Sequence, residues 1–218
     1  MSKKFILASA SPRRRELLSL VIPEFEVYVS GIEEEYQATK PSEIVRELSY
    51  KKAMDVYHKL NQNEAMNDVT SIKHTKQLQS ESNGSIRDEL VVIGSDTIVS
   101  VGNEILEKPT DEADAYRMIQ LIQGRSHEVH TGVSIITSNM ELSFTSTTTV
   151  HVYAMSHEDI LSYVQSEEPY DKAGGYGIQG LFARYIQGIE GDYNTVVGLP
   201  VSMIYQRLRR EGLLCKLF

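Results

Sequence analysis

The sequence predicts a mixed α/β fold, and three observations carry that prediction. A short apolar run at residues 5–8 leads straight into a helix-start pattern at Ser11-Pro12. The stretch Leu90-Val91-Val92-Ile93-Gly94 is continuously apolar, as in a strand covered on both faces. Two runs dense in Val, Ile and Thr, residues 128–137 and 142–153, follow a helical segment. Strands and helices that alternate in this way bury their apolar faces against one another in a layered domain.

The first strand, residues 5–8, is followed by a helix over 13–20, with Ser11 as N-cap, Pro12 at the first helical position and Glu16 in the first turn. A second helix restarts at Pro41-Ser42, where Ile44, Val45, Leu48, Lys52 and Val56 share a stripe and Ser42 or Thr39 is the cap. Residues 61–89 are polar, with few large apolar side chains, and are expected to form a mobile surface insertion within a single domain spanning 1–218. A helix is expected over 111–121, closing near Gly124, and another over 156–164, capped by Ser156 with Glu158 and Asp159 in its first turn. A glycine-rich loop, residues 173–180, precedes an expected strand at 181–186, and a last helix opens at Leu199-Pro200 and ends near Gly212.

Composition narrows the function classes. In the 218 residues, 41% are hydrophobic and 24% charged, which is ordinary for a globular protein. A net charge of -8 opposes general nucleic-acid binding, which needs a basic field, but leaves room for a local basic cluster that holds a small anion. The single cysteine, Cys215, excludes a disulfide framework and a thiolate zinc site. The N-terminal apolar run is too short for a secretion signal, and no stretch approaches the roughly 20 apolar residues of a membrane span. A cytoplasmic protein is the expectation.

Four segments are candidates for chemistry. Ser9, Ser11, Arg13 and Arg14 surround a helix N-terminus, where free N–H groups and forked guanidinium donors suit a phosphate; a capped helix with solvated arginines is the alternative. Asp96, in Gly94-Ser95-Asp96-Thr97 at the end of the apolar strand, is placed to act as a metal ligand or base, or simply to cap a turn. Lys108 stands nearby in sequence. Glu33-Glu34-Glu35 is either a solvated acidic face or part of a metal site. Finally, Gly175-x-Gly177-x-x-Gly180 has the letters of a dinucleotide fingerprint in the wrong context: a helix precedes it, and no acid stands at the expected offset. Its glycines imply a sharp turn or backbone brought close to a ligand, and Gln179 has both donor and acceptor with which to read a base edge. His127 and His130, three apart in strand-like sequence, point to opposite faces and make poor joint metal ligands.

Taken together these segments resemble the Maf-like nucleotide pyrophosphatases, relatives of the inosine triphosphate pyrophosphatases. The likeness lies in residues 7–18, Gly94-Ser95-Asp96-Thr97, Glu107-Lys108-Pro109, His130-Thr131-Gly132-Val133, residues 168–174, residues 176–180 and Val196-Val197-Gly198-Leu199-Pro200, in that order and over nearly the whole chain except residues 61–89. The resemblance implies an elongated, bent mixed sheet with flanking helices and two lobes around a central cleft. It also implies hydrolysis of a nucleoside triphosphate between the α- and β-phosphates, with Asp96 as proton acceptor. Arg13, Thr97 and Gln179 would govern base choice and place the chain in the branch acting on dTTP and UTP, with 7-methyl-GTP the substrate of the sister branch. Ser9, Arg13, Arg14, Lys52 and Lys108 would bind phosphate. Glu34 and Asp96 would hold Mg²⁺ or Mn²⁺. The family also implies a homodimer, and it includes a competing role as a non-catalytic, nucleotide-binding regulator of septum formation. Phe182-Ala183-Arg184 replaces the small residues expected after the glutamine loop, a change expected to alter the pocket wall.

Overall fold

The computed structural model of the chain describes residues 3–74, 89–102 and 104–214. Among these residues seven strands form one mixed sheet: β1 (Lys3–Leu7), β2 (Glu26–Val27), β3 (Glu89–Val101), β4 (Glu104–Leu106), β5 (Ser126–Ile136), β6 (Glu141–Val152) and β7 (Ile186–Glu190). The order is β2-β1-β3-β5-β6-β7, with β4 paired to β3. Strand β1 runs parallel to both its neighbours, whereas β3, β5, β6 and β7 pair antiparallel in succession. The helices are α1 (Pro12–Ser19), α2 (Pro41–His74), α3 (Glu112–Ile122), α4 (His157–Val164), α5 (Tyr193–Val197) and α6 (Val201–Arg210). The mixed α/β expectation is met.

Helix starts follow local chemistry. The side chains of Ser11, Asp111 and Ser156 each accept from a backbone N–H three residues on, and Asp159 returns the bond to complete a capping box at α4. Glu16 falls in the second turn of α1 rather than the first. Ser42 lies inside α2, where Pro41 is the first helical residue and the Lys40 carbonyl accepts from Glu43 and Ile44. Helical backbone in α2 continues to His74, into the segment read as a polar insertion; residues 75–88 of that segment, and Cys215, lie outside the described residues.

Strand β3 differs most from expectation. It passes Gly94 and runs to Val101, because both its faces are covered and its ladder with β5 holds from Val92 to Ser100. It joins two apolar cores. Val91 and Ile93 pack with Leu7, Leu17, Leu18 and Leu199, while Val99 packs with Leu106, Met118, Ile119 and Phe182. Helix α2 lies against β3 and β5 where the sheet surface is bare glycine. A Cβ on Gly94 would stand 2.3 Å from the Ser49 carbonyl oxygen, and one on Gly132 would stand 2.2 Å from that of Val45. That close seating decides how far the side chains of α2 reach across the sheet.

Residues 181–186 were expected to be a strand. Leu181–Tyr185 is instead a 3₁₀ turn, and β7 begins at Ile186. Phe182 drives the change: it is fully buried among Tyr163, Tyr176 and Tyr185, with ring centroids 4.8–5.6 Å away.

Candidate active site

Strand β1 stops opposite Ile93, and the chain turns away into α1. Strand β3 continues past that point, so Asp96, three residues on, faces the space β1 has left. Asp96 is therefore a mid-strand residue paired with Gly132, not the strand-end carboxylate expected. The space is a cleft of about 550 Å³ between the two cores. Ser9, Arg13, Arg14, Glu34, Lys52, Asp96, Thr97, Lys108 and Gln179 all line it, from six separate stretches of chain.

At the floor, the Lys52 ammonium lies between two carboxylates. Its Nζ is 2.5 Å from Asp96 Oδ1 and 2.6 Å from Glu34 Oε1. Lys52 reaches Asp96 because α2 sits on Gly94, two residues before that carboxylate on its own strand, and on Gly132, its partner across the ladder. The Lys52 and Asp96 side chains are only 13% and 8% exposed, so their attraction is weakly screened. Burial pushes the Glu34 carboxyl up, but the hydrogen bond from Lys52 and the charges of Lys52, Lys108 and Arg14 outweigh it and hold Glu34 below the usual range.

Arg14 is spent largely on the protein. Nε donates to the Gly198 carbonyl at 3.0 Å, Nη1 to the Ser95 carbonyl at 2.9 Å and to Ser9 Oγ at 3.3 Å, and Nη2 to Thr97 Oγ1 at 3.0 Å. Withdrawal from water lowers its pKa, Asp96 opposes this, Arg13 adds to it and Glu34 opposes it. The network also fixes a hydroxyl. Thr131 Oγ1 donates to the Thr195 carbonyl at 2.8 Å, so across the 2.9 Å Thr97–Thr131 contact it is Thr97 that donates. Thr97 thus offers a ligand only an oxygen lone pair.

Arg13 points the other way, across the cleft mouth, with Nη1 3.0 Å from Asp171 Oδ2. Gln179 sits at the tip of a turn closed by the Gly180 N–H on the Gly177 carbonyl, 3.2 Å. Neither Gln179 nor Lys108 has a side-chain hydrogen bond among the described residues. His127 and His130 stay out of the cleft. His127 Nε2 pairs with the Tyr176 hydroxyl at 2.7 Å, and His130 bonds Ser100 and Thr147. Phe182-Ala183-Arg184 does not line the cleft either; Phe182 is packed beneath the loop, and the expected change in the pocket wall is absent.

A family described as Maf-like protein matches residues 4–211. The chain belongs to the Maf-like family. Among its relatives, the dTTP/UTP pyrophosphatase of Agathobacter rectalis is 43% identical over 214 residues, covering 96% of this chain and 98% of that one. The dTTP/UTP pyrophosphatase of Bacillus thuringiensis subsp. konkukian is 41% identical over 209 residues, covering 95% of each. The structure of the Staphylococcus aureus Ham1 protein aligns at 11% identity with a TM-score of 0.41, over 96% of this chain and all of that one.

Sequence reasoning gave three further residues of this Maf-like protein's site no part in it. Asp171 engages Arg13, Gly198 supplies the carbonyl shared by Arg14 and Ser95 Oγ, and Thr131 orders the Thr97 hydroxyl. Each lies in a segment that carries the family likeness, but its role rests on a contact at least 34 positions away in sequence, so the local residues alone assign it none.

Proposed function

We propose that this Maf-like protein hydrolyses dTTP and UTP to the monophosphate and pyrophosphate. The observation that carries the proposal is the Lys52 ammonium held between Asp96 and Glu34 at the floor of a cleft that also gathers Arg13, Lys108 and Gln179. Close relatives named dTTP/UTP pyrophosphatase support the choice of substrate.

The donor set suits a hard divalent cation. Two carboxylates converge on a position already favourable to positive charge, and among the described residues no group of three or more carboxylate or imidazole donors forms a closed cage. That pattern fits Mg²⁺ or Mn²⁺, which keep waters and take substrate phosphate oxygens as further ligands. Glu34 and Asp96 would hold the ion, which when bound supplies charge neutralisation on the phosphate oxygens. Lys52, Lys108 and Arg13 add to that neutralisation, and Ser9 and the N-terminus of α1 offer donors to the same phosphates. Arg14, committed to four protein bonds, holds Ser9, Ser95 and Thr97 in place. Asp96 takes a proton from the attacking water as the water oxygen bonds to the α-phosphorus, and the bond from that phosphorus to the bridging oxygen breaks to release pyrophosphate. Arg13, Thr97 and Gln179 select the base. A cytoplasmic homodimer without nucleic-acid partners is the setting we propose; among the described residues no helix is long and apolar enough to cross a membrane.

The test is pyrophosphate release by the purified protein with Mg²⁺ or Mn²⁺ across dTTP, UTP, CTP, ITP and 7-methyl-GTP. Preferential turnover of dTTP and UTP is expected. Turnover mainly of 7-methyl-GTP would keep the reaction and overturn the base choice. No release from any of them by folded protein would leave a nucleotide-binding regulator as the better reading.

A further inference from the structure

Two glycines of residues 173–180, Gly177 and Gly180, have a partner inside the protein. The Glu168 carboxylate lies beneath the turn that carries Gln179, and the chain wraps over it. Its Oε2 accepts from the Leu181 N–H at 2.6 Å, and its Oε1 from the Phe182 N–H at 3.3 Å and the Tyr163 hydroxyl at 3.0 Å. The Lys172 ammonium donates to the Glu168 carbonyl at 2.6 Å, pinning the backbone behind it. A Cβ on Gly180 would stand 2.1 Å from Oε2; one on Gly177 would stand 2.8 Å from Lys172 Cε and 3.4 Å from Glu168 Oε1. Gly180 has φ -108°, so the left-handed region is not why glycine stands there. Contact with the carboxylate is the reason.

We propose that Glu168 is the positioning residue for base selection: its carboxylate sets the height and angle at which the Ile178-Gln179 tip enters the cleft. The inference rests on the cleft being a nucleotide pyrophosphatase site. Glu168 touches no substrate and acts through the turn. A carboxylate suits the task because it accepts from two adjacent amides and a hydroxyl at once, whereas a carboxamide has one acceptor oxygen and would turn donors toward at least one N–H.

The experiment measures kcat/KM for UTP and CTP in wild type, Glu168→Gln, Glu168→Ala, Gly180→Ala and the double variant Glu168→Ala with Gly180→Ala, with the melting temperature of each. In both Glu168 variants the UTP-over-CTP preference is expected to fall at least tenfold, chiefly through KM for UTP. Gly180→Ala is expected to mimic them, because its Cβ must evict a carboxylate tied by three hydrogen bonds. The double variant is then no worse than Glu168→Ala alone, since the space is vacant. A preference kept within twofold in folded Glu168→Ala, or strictly multiplicative losses in the double variant, would overturn the proposal. Absence of pyrophosphate release in wild type would instead overturn the reading of the cleft on which it stands.

Discussion

The two ends of the cleft meet the same task, holding polar groups in place, by opposite means. At the Lys52 end, charged side chains face one another: an ammonium between two carboxylates, and an arginine spread over two carbonyls and two hydroxyls. At the Gln179 end, backbone amides and glycines close over the Glu168 carboxylate, and an aromatic cluster of Tyr163, Tyr176, Phe182 and Tyr185 fills the space behind. The first arrangement is a set of charged side chains that can change partners when a polyanion enters. The second is a fixed shape. Altering Asp96 should therefore change chemistry, and altering the Glu168 turn should change selectivity.

The largest effect tests that separation at the Lys52 end. Asp96→Asn keeps the shape and removes the proton acceptor, so kcat is expected to fall about 10²- to 10⁴-fold, a loss of about 3–5 kcal/mol of transition-state stabilisation. The factor should be the same for dTTP and UTP, and nucleotide affinity by titration should change little. Unequal losses for the two bases would mean that the ends are coupled through Asp96 and that the contrast is wrong.

The next effect belongs to the Gln179 end and needs no substrate. His127 is buried against Tyr176, its Nδ1 has no partner among the described residues, and burial, with His151 nearby, lowers its pKa to about 4 from an ordinary 6.5. The unfolded chain therefore binds a proton near pH 6.5 that the fold refuses until about pH 4. Stability is fully present above the higher value and is lost as pH falls between the two, by about 3 kcal/mol. Urea denaturation of wild type and His127→Gln at pH 7, 5.5 and 4.5 isolates the contribution, because acid losses from carboxylates are common to both. Parallel curves would show that His127 is not kept neutral beneath the loop.

Much of this was legible in the residues themselves. Ser11-Pro12, Asp111 and Ser156 with Asp159 mark helix starts by chemistry within one turn, and the structure places caps at each. The stripe from Ile44 to Lys52 put Lys52 on the face that α2 turns to the sheet. What local pattern missed was satisfied at long range. The apolar run of β3 stops at Gly94, yet the strand continues, because polar Ser95 bonds a carbonyl 103 residues away and Asp96 meets Lys52. Residues 181–186 alternate like a strand, but Leu181–Tyr185 forms a 3₁₀ turn around the buried Phe182. The glycine motif follows no strand and opens no α-helix, and two of its glycines, Gly177 and Gly180, face Lys172 and Glu168, whose sequence context gives no hint that amides 13 and 14 positions on from Glu168 will settle over its carboxylate.

The smallest effect probes an ion pair that spans both ends, Arg13 with Asp171. Arg13, at the start of α1, meets Asp171, whose other oxygen is 2.5 Å from Lys172 Nζ, two residues before the glycine turn begins to rise. The pair is open to water, with side chains 31% and 60% exposed, so it is worth at most about 1 kcal/mol. If a triphosphate draws Arg13 away from Asp171, the free protein is stabilised by a contact that binding must break. Asp171→Asn then lowers KM for dTTP by up to about fivefold with kcat unchanged, and added salt, which screens the pair in wild type, narrows the difference. A rise in KM would reverse the assignment. Asp171 would then be holding Arg13 ready for the substrate, and the charged end would owe part of its geometry to the loop that carries Gln179.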